Sequence, residues 1–378
     1  MVLFVLTGRG PTALQNLPRR ILTFQLLQQA CRDVGMEMMI TTPANVNGKR
    51  GVCHGWTMGE SAQTISWTPK IAPMSGNVLY DAMYLRDLKV HRKAYKKVLA
   101  SAQKHGCVVF NPKLPAKDEL HQLLTEVDSI SERRLSRGLV PASYLHVDVR
   151  QIKHLLRKAE QSMWLKPVHG SGGRNMLLIQ PLCDGRYRVR GDRFFDRHVS
   201  AEWRESELVR HVQQALRRRD YLLQEDIDLL QTPDGRRVDF RVTLARGGTG
   251  EWEMTAITAR YARAGGALTN FHAGGSIQSL TEVNEETAQA LWELGCTRQE
   301  LTQIANCAKE AAQRISAAYP LVGVLGIDVG VRRQDKAMYV YDCNSRPGRD
   351  ILTDAEIART MRQIAHFAQF LQSQSKRV

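Results

Sequence analysis

A glycine-rich hairpin near the middle of the chain constrains the fold most. An apolar run leads to Lys166, and a turn follows four residues later as Gly170-Ser171-Gly172-Gly173, after which apolar residues resume. Glycines allow several backbone N–H groups to converge on phosphate oxygens without a Cβ in the way, and a lysine adds a positive point charge. The pattern indicates a loop that holds a triphosphate. A plain hairpin with a surface lysine is the alternative, so other segments must decide.

A second hairpin is predicted near the C-terminus, with strands over residues 324–331 and 337–344. Positions 342 and 344 point to one face because side chains alternate along a strand, and the turn brings Asp328 alongside Asp342 and Asn344. Two carboxylates and an amide oxygen suit Mg²⁺, which leaves its other positions to phosphate and water. The alternative is a pair of polar hairpin ends.

A third segment, residues 221–230, is an apolar run that turns acidic and then resumes. It predicts a strand that enters a linker, where the backbone of residues 225–227 pairs with an adenine edge and a carboxylate accepts from ribose hydroxyls. The expected nucleotide contacts are Gln224, Glu225, Asp226, Ile227 and Asp228. The alternating patterns of residues 237–244 and 252–260 predict two antiparallel strands, with Asp239 and Arg241 on one face.

In this order, the motifs resemble those of ATP-grasp proteins, most closely the YheC/YheD-like branch, over about residues 110–352. They read Lys-Pro-x-x-Gly-Ser-x-Gly, Gln-x-x-Ile-x-Leu, Asp-Phe-Arg-Val, Thr-Asn-x-x-x-Gly-Gly, Gly-Ile-Asp and Asp-x-Asn-x-x-Pro-Gly. The resemblance implies an α/β and α+β protein. An N-terminal β-α-β (pre-ATP-grasp) domain would span residues 1–110, and an ATP-grasp fold residues 111–378, with two α+β subdomains at about 150–226 and 227–378.

The resemblance also implies roles for single residues. Lys166 would contact the α- and β-phosphates, residues 170–173 would cover the phosphates, and Lys117 matches a further family lysine. Arg260 and Asn270 would lie near the transferred phosphoryl group, where a guanidinium offsets developing charge. Arg241 would anchor the substrate acid. The metal ligands, for one or two Mg²⁺ ions, would be Asp328, Asp342 and Asn344.

Two positions depart from the family pattern. Asp342 stands where the family usually has Glu and is one methylene shorter, which puts the binding of a second magnesium ion in doubt. Asn175 stands where the family usually has glycine, and asparagine is the other residue that best tolerates positive φ. We expect this second change to be mild.

The N-terminal segment predicts a β-α-β unit with strands over residues 2–6 and 36–41 and a helix over residues 14–34. The segment Gly8-Arg-Gly-Pro-Thr-Ala13 loosely fits a dinucleotide fingerprint. No acidic residue ends the second strand to bind a ribose hydroxyl, so a nicotinamide site is rejected. Residues 42–77 are rich in Gly, Ser, Thr and Pro and give no clear pattern.

Composition narrows the class of protein. The 378 residues, 43% of them hydrophobic, suffice for two or three packed units. The seven cysteines lack a C-x-x-C pair and the apolar runs are far shorter than a membrane span, so we expect reduced thiols and a cytoplasmic protein without membrane segments. The formal charge of +15 is spread over the chain without a nucleic-acid-reader motif, which makes nucleic acid an unlikely partner.

Three functional classes follow. The first is a carboxylate-amine ligase that uses Mg-ATP, an acid and an amine acceptor, with an anionic small molecule or peptide among its substrates. The second is a phosphotransferase, and the third is a structural protein with a degenerate site, since the branch is associated with endospore-forming bacteria and spore coats. The sequence does not decide whether the protein forms a homo-oligomer. Hydrolase motifs such as H-E-x-x-H, G-x-S-x-G and the Walker P-loop do not occur.

Overall fold

The computed structural model describes residues 1–60, 65–125, 134–135, 139–170, 173–269 and 274–375. Within these residues the strands form three sheets, two of seven strands and one of five. Helices cover the sheets, and the polypeptide is therefore a mixed α/β and α+β protein, as predicted. Three of the predicted site residues, Ser171, Gly172 and Asn270, lie outside the described residues.

The first sheet contains the predicted β-α-β unit. Its parallel strands are β1 (Val2–Leu6), β2 (Glu37–Thr41), β6 (Val78–Asp81) and β7 (Val108–Phe110), in the order β2-β1-β6-β7. The helices that belong to it are α1 (Pro11–Leu14), α2 (Pro18–Asp33) and α3 (Leu85–Lys104).

The predicted continuous helix over residues 14–34 is wrong at its start. The chain makes a short helix α1, turns, and begins α2 with Pro18 at its first position. A proline inside a helix removes one N–H and clashes with the carbonyl four residues earlier, which here is that of Leu14. At the first helical position the missing N–H costs nothing, so α2 starts there.

The segment that gave no clear pattern adds three antiparallel strands to the first sheet. After a 3-10 turn at Pro43–Asn45, these are β3 (Val46–Asn47), β4 (Val52–Glu60) and β5 (Ile65–Pro73). Strand β4 pairs with β2 through a single residue pair, Ile40 with Trp56, and with β5 along its length.

The second sheet carries the glycine-rich hairpin. Its strands run in the order β13-β12-β11-β10-β14-β9-β8. One face packs on helices α5 (Val149–Lys158) and α6 (Glu205–Leu216) through a core that includes Leu165, Ile179 and Leu223. The strands are β8 (Arg134–Leu135), β9 (Ser143–Tyr144), β10 (Met163–Pro167), β11 (Leu177–Pro181), β12 (Arg186–Phe194), β13 (Arg197–Arg204) and β14 (Tyr221–Glu225).

The third sheet carries the second hairpin. Its order is β17-β16-β15-β18-β19, all antiparallel, and its core face packs against α4 (Lys117–Leu124), α7 (Glu285–Glu293) and α8 (Arg298–Ala318). A capping box of Thr297 and Glu300 begins α8. The strands are β15 (Val238–Arg246), β16 (Trp252–Tyr261), β17 (Ser276–Ser279), β18 (Val324–Val331) and β19 (Met338–Asn344).

The last helix, α9 (Asp354–Ser375), joins the first and third sheets. Its buried side chains, among them Ile357 and Phe367, share one hydrophobic core with Leu3 of β1 and Ala245 of β15. The division of the chain at residue 110 remains a prediction, but the C-terminal helix clearly contributes to the core of the N-terminal sheet.

Candidate functional site

Lys166 lies on the open face of the second sheet. Leu165, its neighbour on β10, packs into the core with α5 and α6, and strand alternation therefore turns Trp164 and Lys166 to the opposite face. The ammonium of Lys166 is buried, donates to Gln224 Oε1 at 2.5 Å and lies 5.2 Å from the centre of the Tyr341 ring. Among the described residues, a neutral amide is the hydrogen-bond partner of this buried lysine, which suits it to receive an anion.

A second lysine lies nearby at the start of α4. Lys117 Nζ donates to Asp342 Oδ1 at 2.6 Å, and the Lys117 backbone amide donates to the carbonyl of Val168, just after β10. Burial, and then the positive charge of Lys117, lower the pKa of the Lys166 ammonium to about 7. The two lysines therefore repel each other in a way that a phosphate between them would relieve.

The register of the third sheet assembles a row of charged side chains. Arg241 on β15 lies opposite Asp328 on β18, and Asp328 lies opposite Asp342 on β19. Two carboxylates directly across from each other are destabilising unless cations compensate. Here Arg241 donates to both oxygens of Asp328, with Nη2 at 3.0 Å, and Lys117 compensates Asp342.

Arg260 connects this row to a further acid. Its Nη2 lies 2.9 Å from Asp328 Oδ2, and its Nε and Nη2 donate to the two oxygens of Asp239 at 2.8 and 2.7 Å. Thr269 also donates to Asp239 at 2.6 Å. Burial would raise the pKa of Asp328, but the guanidinium groups of Arg241 and Arg260 outweigh it and lower that pKa to about 2. The acid stays ionised, and both arginines are held firmly.

Asn344 ends strand β19 beside this cluster. Its side-chain oxygen accepts from the backbone amide of Arg346 at 2.9 Å. The Arg346 guanidinium forms a buried ion pair with Asp81, at the end of β6, which also accepts from Tyr95 of α3 at 2.5 Å. The loop that follows Asn344 is thereby fixed to the N-terminal sheet.

The predicted adenine segment has a different set of partners. The amides of Glu225 and Asp226 donate to the carbonyls of Ala142 and Ser162, both at 2.9 Å. Asp226 accepts from Trp164 and from Arg237, which also donates to the carbonyl of Ile227. Asp228 pairs with Arg333 at the surface, and Gln224 is fully buried against Lys166 and Ser143. Of the five predicted nucleotide contacts, only Asp226 lines the cavity described next.

A cavity of about 340 Å³ lies between the second and third sheets. This volume lies within the range typical of small-molecule sites, about 300–1,000 Å³. The predicted residues that line it are Lys117, Lys166, Gly173, Asp226, Arg241, Arg260, Asp328, Asp342 and Asn344. A larger cavity, about 1160 Å³, lies in the N-terminal sheet and contains none of the predicted site residues.

The glycine-rich turn is described at its two ends. Gly173 has φ +70° and lines the cavity, while Gly170 lies before the turn. Asn175 has φ +59° and its side chain accepts from the amide of Phe195 at 3.0 Å. Asn175 therefore adopts the left-handed conformation that favours glycine, the residue usual at this position in the family, and asparagine tolerates it as predicted.

The described residues contain no group of three or more His, Cys, Asp or Glu side chains placed to hold a metal ion. The predicted metal ligands include only two acids, Asp328 and Asp342, together with the amide of Asn344. A carboxylate has about four lone-pair sites, so Asp328 keeps one after its three guanidinium contacts and Asp342 keeps more. Hard oxygen donors in this number fit a magnesium ion whose other ligands are phosphate and water.

Comparison with protein families shows which family the chain belongs to. The YheC/D-like ATP-grasp family matches residues 106–371, which is more than half of the sequence. The chain belongs to this family. A comparison with curated proteins gives no match.

Two solved structures show the ATP-grasp fold over the whole chain. The D-alanyl-alanine synthetase A from Vibrio cholerae O1 biovar eltor is 10% identical with a TM-score of 0.50. The D-alanine-D-alanine ligase from Coxiella burnetii is 9% identical with a TM-score of 0.50. Each comparison covers 100% of this chain and 98% of the other. The fold prediction is confirmed at the level of the ATP-grasp architecture.

Two further findings bear on the predicted properties of this ATP-grasp chain. Nowhere in the described part of the chain is a helix long and apolar enough to cross a bilayer. All seven cysteines are free thiols, and burial raises the pKa of Cys343 well above its ordinary value.

Sequence reasoning missed some cleft residues. Asp239 holds Arg260, Arg237 holds Asp226, and Tyr341 lies under Lys166. The alternation that placed Asp239 and Arg241 on one face was a usable signal, because an acid next to an arginine on a cleft-facing strand suggests an ion-pair network. The strand register that joins Asp239 to Arg260 was not readable from the sequence.

Proposed function

We propose that this ATP-grasp chain is a Mg-ATP-dependent ligase that joins a carboxylic acid to an amine through an acyl phosphate and forms ADP and phosphate. One observation carries the proposal: two lysines, three arginines and five aspartates line one cavity between the second and third sheets. Ten charged side chains in one cleft cost much desolvation energy, and such clusters are typical of functional sites.

The cations divide into two groups by position. Lys166 and Lys117, from β10 and α4, would bind phosphate oxygens of ATP on the side of the glycine-rich turn. Arg260 and Arg241, from the third sheet, would face the transferred phosphoryl group and the substrate acid. Guanidiniums fixed by carboxylates need no reorganisation when charge develops in the transition state, which is the basis of electrostatic catalysis.

The acids and the amide would hold magnesium. Asp328, Asp342 and Asn344 present the required hard oxygens, with Asp342 available once Lys117 turns to phosphate. When bound, magnesium neutralises phosphate charge and orients the γ-phosphoryl group for in-line attack. Because Asp342 is one methylene shorter than glutamate, we propose that the protein oxygens hold one ion firmly.

In the proposed reaction, a substrate carboxylate oxygen attacks the γ-phosphorus and ADP leaves. An amine then attacks the acyl carbon, forms the C–N bond and releases phosphate. Asn270 is proposed to lie close to the transferred group, and the backbone of residues 225–227 close to the adenine. The acid and amine are proposed to be small molecules or peptides, and the cytoplasm is the proposed location.

Hydroxylamine tests this proposal without knowledge of the amine. The purified chain is incubated with Mg-ATP, hydroxylamine and pools of amino acids, dipeptides and dicarboxylic acids. An acyl phosphate would give a hydroxamate and an equal amount of ADP, and the Arg260→Gln variant would give neither. Phosphorylated acid that accumulates without hydroxamate would assign a phosphotransferase. Absence of ATP binding would favour the structural role proposed for spore coats.

A further inference from the structure

Helix α3 carries an unusual concentration of positive charge. Its twenty residues include seven lysines and arginines and a single acid, Asp87, which is buried against Arg20. The helix is kinked at His91. Four of the basic residues, Arg92, Lys93, Lys96 and Lys97, follow the kink at spacings of three and four, which places them on one helix face, and Lys89 lies just before it; all five are exposed. We define the α3 basic face as Lys89, Arg92, Lys93, Lys96 and Lys97.

In the described part of the chain, no acid compensates the charge of this face. Within the described residues, no member of the α3 basic face forms an ion pair or a side-chain hydrogen bond. Two pairs beyond the kink at His91 are four residues apart, Arg92 with Lys96 and Lys93 with Lys97. Like charges at this spacing destabilise a helix. An anionic partner would remove this repulsion.

The C-terminal half of α3 also forms one wall of the large cavity of about 1160 Å³. The other walls are the loop of residues 44–49 and strands β4 and β5. Lysines surround the opening at Lys49, Lys97 and Lys104, all exposed. The lining includes apolar side chains, notably Trp56 and Ile71, and Ile71 is 61% exposed, which is unusual for isoleucine.

We propose that the α3 basic face and this groove bind an acidic polypeptide segment. The groove is larger than the typical volume of a small-molecule site, about 300–1,000 Å³, and is open, as suits a peptide segment. Its rim supplies ammonium groups for carboxylates, while Trp56 and Ile71 supply apolar contacts for aliphatic side-chain stems. The proposal goes beyond the ATP-dependent reaction and does not depend on it.

Other anionic macromolecules fit less well. Four of the five residues of the α3 basic face are lysines, whereas planar phosphate recognition favours arginine. Among the described residues that line the groove, only Trp56 and His54 carry aromatic rings, whereas single-stranded nucleic acids need successive stacking platforms. A bilayer is flat and would not reach the lining of a groove.

The inner side of α3 is connected to the candidate active cleft. Tyr95 donates to Asp81, Asp81 pairs with Arg346, and the amide of Arg346 donates to Asn344, which lines the cleft. A polypeptide held on the outer side of α3 would therefore lie close to the cleft, one helix away from the Asp81 ion pair.

The experiment measures the anisotropy of a fluorescein-labelled oligoglutamate peptide with the full chain at low and high salt. We expect binding at low salt that weakens about tenfold in the Lys93→Glu/Lys97→Glu variant, since two attractive contacts become repulsive. The matched control is Arg217→Glu/Arg219→Glu, which changes the net charge equally at exposed positions beyond α6. Ile71→Glu tests the groove itself and should also weaken binding. Thermal melting checks that each variant is folded.

The proposal is overturned if the control variant loses as much affinity as the α3 variant, because net charge alone would then explain binding. It is also overturned if the wild type does not bind the peptide at low salt. Tighter binding of a short DNA duplex or of phosphatidylserine vesicles would replace the polypeptide with another partner. Unchanged affinity in Ile71→Glu would contradict the role of the groove.

Discussion

The ion pair between Arg260 and Asp239 makes the sharpest energetic prediction. Asp239 is buried at 4% exposure and accepts two charge-assisted hydrogen bonds from Arg260 and one from Thr269. Replacing one partner of a buried ion pair costs about 3–5 kcal/mol because a charge is left uncompensated. In the variant Arg260 would still form its ion pair with Asp328 at 2.9 Å, which reduces the loss. We therefore expect Asp239→Asn to lower the free energy of unfolding by about 3 kcal/mol, the low end of that range.

Urea unfolding followed by tryptophan fluorescence measures this loss. With a slope near 3 kcal/mol per molar urea, the midpoint should fall by about 1 M. Glu282→Gln is the control, since Glu282 and Arg359 form an exposed pair that is worth less than about 1 kcal/mol. A midpoint for Asp239→Asn that equals that of Glu282→Gln would show that the buried network contributes no more than a surface pair and would refute the reasoning.

Two further predictions concern the same cleft. The pKa of Lys166 is about 7 in the free protein and should rise when phosphate binds, so ATP binding at pH 8 should take up close to one proton. Calorimetry in buffers of different ionisation enthalpy measures this uptake, and finding none would contradict the prediction. A Cβ at Gly326 would lie 2.7 Å from Pro347 Cβ and 3.1 Å from Arg241 Nη1, so Gly326→Ala should destabilise the protein by about 1–3 kcal/mol. The control Gly248→Ala, whose Cβ would lie 3.8 Å from its nearest atom, should not destabilise it. Equal urea midpoints for the two variants would contradict the steric explanation.

The sequence predicted those parts of the site that depend on local patterns. Period-two alternation placed Asp342 and Asn344 on one face of a strand. The apolar run before the glycine-rich turn placed Lys166 at the end of another, and the structure has both strands. The resemblance to the family placed Asn175 where glycine is usual, and asparagine tolerates the positive φ that the structure shows there. These features need a few neighbouring residues and no knowledge of distant ones.

Features set by distant residues could not be predicted. The contact of Arg260 with both Asp239 and Asp328 depends on the pairing of three strands that are far apart in the chain. The packing of α9 on the N-terminal sheet brings the two ends of the sequence together in one core. Strands β4 and β5 contain glycine and proline in positions that hide their alternation, so their contribution to the first sheet was missed.

The central claim is that the cleft between the second and third sheets binds Mg-ATP through Lys166. Calorimetric titration of the wild type and of Lys166→Ala with a non-hydrolysable ATP analogue and magnesium tests it most directly. We expect saturable binding by the wild type and a strong loss of affinity in the variant, because the variant lacks the buried ammonium that would contact the phosphates. Equal affinities, or no binding by either protein, would contradict it.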